Sequence, residues 1–240
     1  MRKILIPLFL LVVVFKTEAQ SSVFTVVDSL LVKGNYQKAL LFLEETIDQN
    51  ALVLEKTADI YQTIGNYNKA IASYSEALTI EEKSQLKIKL ANVYATIGYK
   101  NKAIDLYEDV FKKDSSNLLL ANNLGKLYLR ELKPKSAEKM FRYLKIQDSL
   151  NPNYPYQLGK ALALQRKKLQ MGQSYIDAFT IDTLHLNSIY EVAKFFKTLN
   201  VRNTSGIFIE KGLKIDSTNI NFLQLKANDQ YFEKEFEEAL

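Results

Sequence analysis

The tightest constraint in this chain is a recurrence. Asp114, Asp148, Asp182 and Asp216, each followed by Ser or Thr, stand 34 residues apart. Leu124-Gly125 and Leu158-Gly159 recur at the same interval, and Ala193 and Ala227 continue the small-residue slot. Lys126, Lys160 and Lys194 share the period. Nearer the N-terminus, Gly34-Asn35-Tyr36-Gln37-Lys38-Ala39 returns as Gly65-Asn66-Tyr67-Asn68-Lys69-Ala70 and, loosened, as Gly98-Tyr99-Lys100-Asn101-Lys102-Ala103, after 31 and 33 residues. A fixed period of this size marks a module that cannot bury its apolar face alone and must stack on copies of itself. With only 8 Gly and 4 Pro in 240 residues, breakers are few, which favours helices with short connections over strands and turns. The expected fold class is all-α.

The residue types inside the period carry a family likeness. A small residue is followed three places on by an aromatic in Ala58 and Tyr61, Ala91 and Tyr94, Gly125 and Tyr128, and Ala193 and Phe196. A second pair follows in Ala70 and Tyr74, Ala103 and Tyr107, and Ala137 and Phe141. This order resembles the tetratricopeptide repeat family, in its secreted or periplasmic bacterial form. The resemblance implies an α-solenoid of stacked antiparallel helix hairpins in a superhelix, with repeats at about 20–50, 51–83, 84–117, 118–151, 152–185 and 186–219 and a partial copy at 220–240.

Physical reasons support those residue types. Gly or Ala at a helix crossing lets two backbones approach, and the aromatic one turn away fills the space beside it. Gly in the turn supplies positive φ where the first helix ends. The Asp-Ser and Asp-Thr pairs are expected to cap the next helix, each cap contributing about 1 kcal/mol. Two repeats depart from the pattern. Met171 replaces the expected Ala, and Arg166-Lys167-Lys168 replaces the Gly turn; in the next copy Ser205 and Ile209 replace Ala and the aromatic. Register is least specified there. The last copy ends at Glu237-Glu238-Ala239-Leu240, where a second helix is expected to begin. That suggests a fragment, or a final apolar face covered by a partner.

Residues 1–19 read as an address. Met1-Arg2-Lys3 is basic, residues 4–15 are apolar apart from Pro7, and Lys16-Thr17-Glu18-Ala19 turns polar. This is the order of a cleavable secretory signal, with the cut expected after Ala19. A spanning helix needs about 20 apolar residues, so an anchor is disfavoured and no membrane span is expected in the mature chain. The expected location is periplasmic or extracellular. The net charge of +5 falls to +3 without Arg2, Lys3, Lys16 and Glu18. That is too mild for a nucleic-acid partner. With 0 Cys, disulfides, thiol catalysis and cysteine-held zinc are excluded.

Catalytic patterns are absent from the sequence. The single histidine, His185, reads as an exposed loop residue with no second His to share a metal. There is no Gly-rich phosphate loop, nucleophile elbow or metal-ligand spacing. Adjacent acids such as Glu44 and Glu45 diverge by about 100° on a helix and do not converge on one substrate. Asn203-Thr204-Ser205 matches a glycosylation acceptor, a tripeptide common by chance. Neither an enzymatic activity nor a cofactor is expected.

The family likeness places a partner groove on the first helix of each hairpin. Projected onto this chain, it holds Asn92, Asn123, Lys126, Arg130, Tyr156, Lys160, Tyr190 and Lys194. Tyr156 and Tyr190 each precede a periodic lysine by four residues, on the same helix face. The strip is basic and aromatic-flanked, and suits an extended acidic peptide or a terminal carboxylate. The family's carboxylate clamp is incomplete. Asn92 and Asn123 match, but Ile88, Asn153 and Gln157 stand where clamp Lys and Arg belong, so chaperone-tail binding is not implied. The expected function is a protein–protein interaction scaffold of the cell envelope. The alternative is a sensory ectodomain preceding a membrane segment and a signalling module.

Overall fold

The apolar stripes wind at helical period. In the computed structural model every regular element among the described residues is an α-helix. The structure describes residues 23–45 and 49–238, with side chains as far as Tyr231. The signal reading of residues 1–19 lies outside them. Helix α1 covers residues 23–32. It is followed by α2 (Tyr36–Glu44), α3 (Ala51–Thr63), α4 (Tyr67–Ile80), α5 (Ser84–Thr96) and α6 (Lys100–Lys113). Then come α7 (Leu118–Arg130), α8 (Pro134–Gln147), α9 (Asn153–Leu164), α10 (Lys168–Ile181), α11 (Leu186–Thr198), α12 (Arg202–Ile215) and α13 (Ile220–Glu238).

Two compact units divide at Val110 and Phe111. In the first, α3 and α4 form a tight pair and α5 packs on α4. In the second, α7 pairs with α8, α9 with α10 and α11 with α12; α8–α9, α10–α11 and α12–α13 contacts join one hairpin to the next. Each unit is thus a stack of antiparallel hairpins, the fold class expected from the period. The core lies at the crossings. Ala58, Ala70, Ala91, Ala103, Ala121, Ala137 and Ala193 are fully buried, beside Tyr74, Tyr107 and Phe141, which are at most 1% exposed. Tyr94 is different: it is half-buried, with the Lys102 ammonium 5.2 Å above its ring.

Each hairpin turns through one residue in the left-handed region. Gly34, Gly65 and Gly98 have φ of 71°, 77° and 86°; Leu132, Arg166 and Asn200 have 51°, 58° and 60°. The hydrogen bonds around them repeat. The next residue's N–H reaches back to the carbonyl five positions earlier, as in Asn66 to Tyr61 (2.8 Å), Tyr99 to Tyr94 (2.8 Å), Lys133 to Tyr128 (2.8 Å) and Lys167 to Leu162 (3.0 Å). These Schellman bonds satisfy carbonyls that the helix end leaves open, and they hold the left-handed residue even where it carries a side chain. The repeat in which Arg166-Lys167-Lys168 replaces the Gly turn therefore keeps its register, with Arg166 in the left-handed position. Tyr175, 34 residues after Phe141, supplies its aromatic and is 2% exposed. In the following copy Ser205 replaces Ala without leaving a buried hydroxyl unpaired, because Ser205 Oγ donates to the Ala193 carbonyl at 3.0 Å. That hydroxyl is 1% exposed, so the third residue of the glycosylation-like tripeptide serves packing between α11 and α12.

The caps are not where the Asp pairs suggest. Asp114, Asp182 and Asp216 accept from the N–H two residues on, in Ser116 (2.9 Å), Leu184 (2.9 Å) and Thr218 (3.2 Å). They form Asx turns in the loop. The helix is capped three residues later: Asn117 accepts from Leu120 N–H at 2.9 Å, and His185 Nδ1 accepts from Ser188 N–H at 3.2 Å. His185 is accordingly half-buried and not an exposed loop residue. Its ring stands edge-on to Tyr156, with centroids 5.4 Å apart.

The last copy also differs from expectation. α13 continues as one helix of 19 residues through Lys234, where earlier copies turn. Glu233, Lys234 and Glu235 are good helix formers with no turn residue among them. The core positions filled in α7 by Leu124, Gly125, Leu127 and Tyr128 hold Lys226, Ala227, Asp229 and Gln230 in α13. Lys226 pairs with Glu210 at 2.7 Å and Asp229 with Lys197 at 2.5 Å. α13 buries Phe222 on its inner side, and its outward face mixes Asn221, Gln224, Asn228 and Gln230 with the exposed Ile220, Leu223 and Tyr231.

Candidate partner-binding cleft

One position on the first helix of each hairpin, just after the small crossing residue, sets the character of each unit. It reads Asp59, Asn92, Lys126, Lys160 and Lys194 along the chain. In the first unit these side chains are occupied from within. Asp59 accepts from the buried Tyr74 hydroxyl at 2.5 Å and from Lys89 Nζ at 2.8 and 2.7 Å. Lys89 also pairs with Glu55 at 2.7 Å. Burial, reinforced by the Asp59 hydrogen bond, raises the Tyr74 pKa far above its usual value. Asn92 accepts from the Tyr107 hydroxyl. Asn92, the one candidate groove residue in this unit, thus serves its own hairpin.

The other seven candidates fall in the second unit. Its cleft of about 540 Å³ brings Arg130 of α7, Lys160 of α9 and Lys194 of α11 around one opening. Glu191 and the tyrosine Tyr175 share the cleft, and Leu129, Leu132, Ala163 and Leu164 give it an apolar wall. Leu132 and Leu164 are 72% and 48% exposed. Asn123 is half-buried and Lys126 exposed on α7, outside the lining.

The two tyrosine–lysine pairs form as their spacing predicts. Lys160 Nζ stands 5.8 Å from the Tyr156 ring centre and Lys194 Nζ 5.0 Å from that of Tyr190. Both rings are half-buried and also pack sideways. Tyr156 lies 5.9 Å from Tyr175, and Tyr190 meets Phe222 of α13 at 5.6 Å. Lys194 approaches Glu191 at 3.3 Å, whereas Arg130 and Lys160 have no carboxylate partner among the described residues. The cleft therefore carries three cations against one anion.

The groove expected from the sequence held the three cations but not Tyr175, Glu191 or the apolar wall. Burial, then the Glu191 charge and Tyr156, hold the Tyr175 phenol well above its ordinary pKa, so the hydroxyl is a proton donor. Its signal was present in the period: 34 residues separate it from Phe141. No cluster of His, Cys, Asp or Glu suited to a metal occurs among the described residues. No described helix is long and apolar enough to cross a membrane.

Stacked hairpins with small residues at the crossings, a left-handed turn in each and a cleft on the first-helix face define a tetratricopeptide-type helical repeat protein. The likeness extends to solved structures. A segment of MamA from Desulfovibrio magneticus RS-1 matches with 12% identity over 73% of this chain and 99% of that one, at a TM-score of 0.65. YrrB, described as a TPR protein with an unusual peptide-binding site, shows 19% identity over 80% of this chain and 97% of its own, at 0.64. The C-terminal part of a TPR repeat-containing protein from Cytophaga hutchinsonii gives 15% identity, 81% and 79% coverage, and 0.69. At these identities the likeness concerns the fold. No curated protein matches the chain. Residues 14–133, half of the 240, match the family described as "SNAP: Soluble NSF attachment protein, SNAP", and the chain belongs to that family of helical repeats.

Proposed function

We propose that this protein is a non-catalytic interaction scaffold whose second unit receives a segment of a partner protein along the first helices of its hairpins. The observation that carries the reading is the meeting of Arg130, Lys160 and Lys194, from three successive repeats, around one cleft with an apolar wall. Charge from separate elements converging on a concave opening is what an extended ligand needs, and polar groups around apolar surface set its orientation. The tyrosines 156 and 190 flank the lysines and fix their direction. The peptide-binding site named for YrrB is a property of that protein; it makes a peptide ligand a reasonable choice for a related fold.

The basic start and apolar run of residues 1–19 support export to the cell envelope, where such a scaffold meets other envelope proteins. The test is recovery of partners from an envelope extract by the whole protein and by a Lys126→Glu, Lys160→Glu, Lys194→Glu triple variant. The reading expects a partner held by the wild type and lost by the variant, at unchanged helix content. Equal recovery by both removes the assignment of the groove.

A further inference from the structure

We infer that the cleft of the second unit grips the side-chain carboxylates of a partner segment in which acidic residues stand beside an aliphatic one. This rests on the partner-binding reading above and names the chemistry the site accepts. The chain supplies its own precedent. In the first unit the Asp59 carboxylate is held by the Tyr74 hydroxyl at 2.5 Å and by Lys89 Nζ at 2.7 and 2.8 Å. Tyr175 occupies in its hairpin the place Tyr74 occupies in its own, three repeats earlier. The residue beside it that answers to Asp59 is Lys160, which donates and cannot accept. The Tyr175 hydroxyl therefore has no acceptor at that position on α9, and none among the described residues. The side chain is 2% exposed, yet it lines the cleft. Its hydroxyl is not sealed in: it opens onto the cleft, placed to donate to a ligand oxygen there.

The surroundings choose a carboxylate for that oxygen. Arg130, Lys160 and Lys194 face only Glu191, an excess of two positive charges. Two acidic side chains balance that excess, whereas a chain-terminal carboxylate brings a single charge. Leu132 and Leu164 are exposed at the mouth and offer an aliphatic side chain a dry contact beside the ions. The bound segment then reproduces in trans what Asp59 does in cis: one carboxylate takes the tyrosine hydroxyl and a lysine together.

The experiment uses an array of short, C-terminally amidated peptides in which paired Asp or Glu residues are placed next to Leu or Ile, beside neutral Asn and Gln counterparts and free-acid copies. Binding is measured to the full chain, to Tyr175→Phe and to Lys160→Gln, with thermal midpoints alongside. Phe is sound at this position, since Phe141 fills it in the preceding repeat fully buried. The amidated acidic–aliphatic peptides are expected to bind. Tyr175→Phe should weaken them by about tenfold with an unchanged midpoint, as losing a hydrogen bond to a charged group does. Failure of every acidic peptide to bind, equal binding of neutral peptides, a requirement for the free C-terminus, or no effect of Tyr175→Phe overturns the inference. Neutral peptides that bind the wild type but not the triple lysine variant would leave the groove reading standing and sink this one.

Discussion

Gly159 lies directly under the ring of Tyr175: a methyl group at Gly159 would stand 2.4 Å from the nearest ring carbon. The glycine lets α9 and α10 close on each other, and the ring fills the space the missing side chain leaves. Gly125 stands in the same relation to Phe141, at 2.8 Å. Gly159→Ala must push a buried ring aside and should destabilise the second unit by about 1–3 kcal/mol. Gly206, in α12, has nothing within 4 Å of such a methyl group and is helical. Gly206→Ala should stabilise by about 0.5–1 kcal/mol through backbone entropy. Urea midpoints for the two variants, moving in opposite directions, check the account.

The turn residues give a second test. Arg166 carries a side chain at φ 58°, where the left-handed conformation costs an L-residue about 1–2 kcal/mol. Arg166→Gly should therefore stabilise the second unit by about 1 kcal/mol. Gly98, at φ 86° with open space around it, should lose about as much on substitution by Ala. Thermal unfolding of both variants measures the pair.

His185 makes stability depend on pH. Burial lowers its pKa from the ordinary 6.5, while the Asp182 carboxylate pulls it up; the net direction is down. The unfolded chain then binds a proton before the folded one. Stability is full above pH 6.5 and falls as the pH drops from there through the folded value. Protonation also takes from Ser188 N–H its acceptor Nδ1. His185→Asn keeps a capping oxygen and does not titrate. It should flatten the stability–pH profile over that window, and His185→Ala should cost about 1 kcal/mol at neutral pH. Denaturant midpoints across the pH range decide it.

Lys89 holds Glu55 and Asp59 together in the first unit, at 2.7 Å to each, and is itself 25% exposed. Lys89→Met leaves two carboxylates facing each other. It should destabilise the first unit by about 1–2 kcal/mol, between the values for surface and buried pairs. Because the destabilisation is like-charge repulsion, added salt should recover part of it. Unfolding in low and high salt reads both effects.

The crossings were legible in the sequence because packing there demands a residue type: small at Ala58, Ala91, Gly125 and Ala193, aromatic at Tyr74, Tyr107 and Phe141. What stayed hidden is where geometry overrides type. Leu132 and Arg166 take a glycine conformation because Schellman bonds hold the chain there, and no residue-type rule marks them, whereas Asn200 is of a type that adopts it readily. The Asp pairs resembled caps because Asp caps helices in general; here Asn117 and His185, three residues later, have the reach to the free N–H groups. Asn50, Asn117, His185 and Asn219 occupy one repeat position. That alignment assigns the lone histidine as a cap once the position is known. Of the cleft, the cations Arg130, Lys160 and Lys194 were legible from the period, but its free tyrosine hydroxyl was not. That hydroxyl depends on Tyr175 lacking the acceptor that Tyr74 finds in Asp59, a fact about which side chains meet.

The most direct test of the account is site-specific photo-crosslinking in the intact protein, with the reactive group at Leu132 on the cleft rim or at Ile146, which is 77% exposed in the last turn of α8. The account predicts that a partner isolated with the wild type is crosslinked from position 132 through a segment rich in Asp or Glu, and that Lys160→Glu abolishes the adduct. Crosslinking from position 146 alone, or an adduct at 132 indifferent to Lys160→Glu, contradicts it.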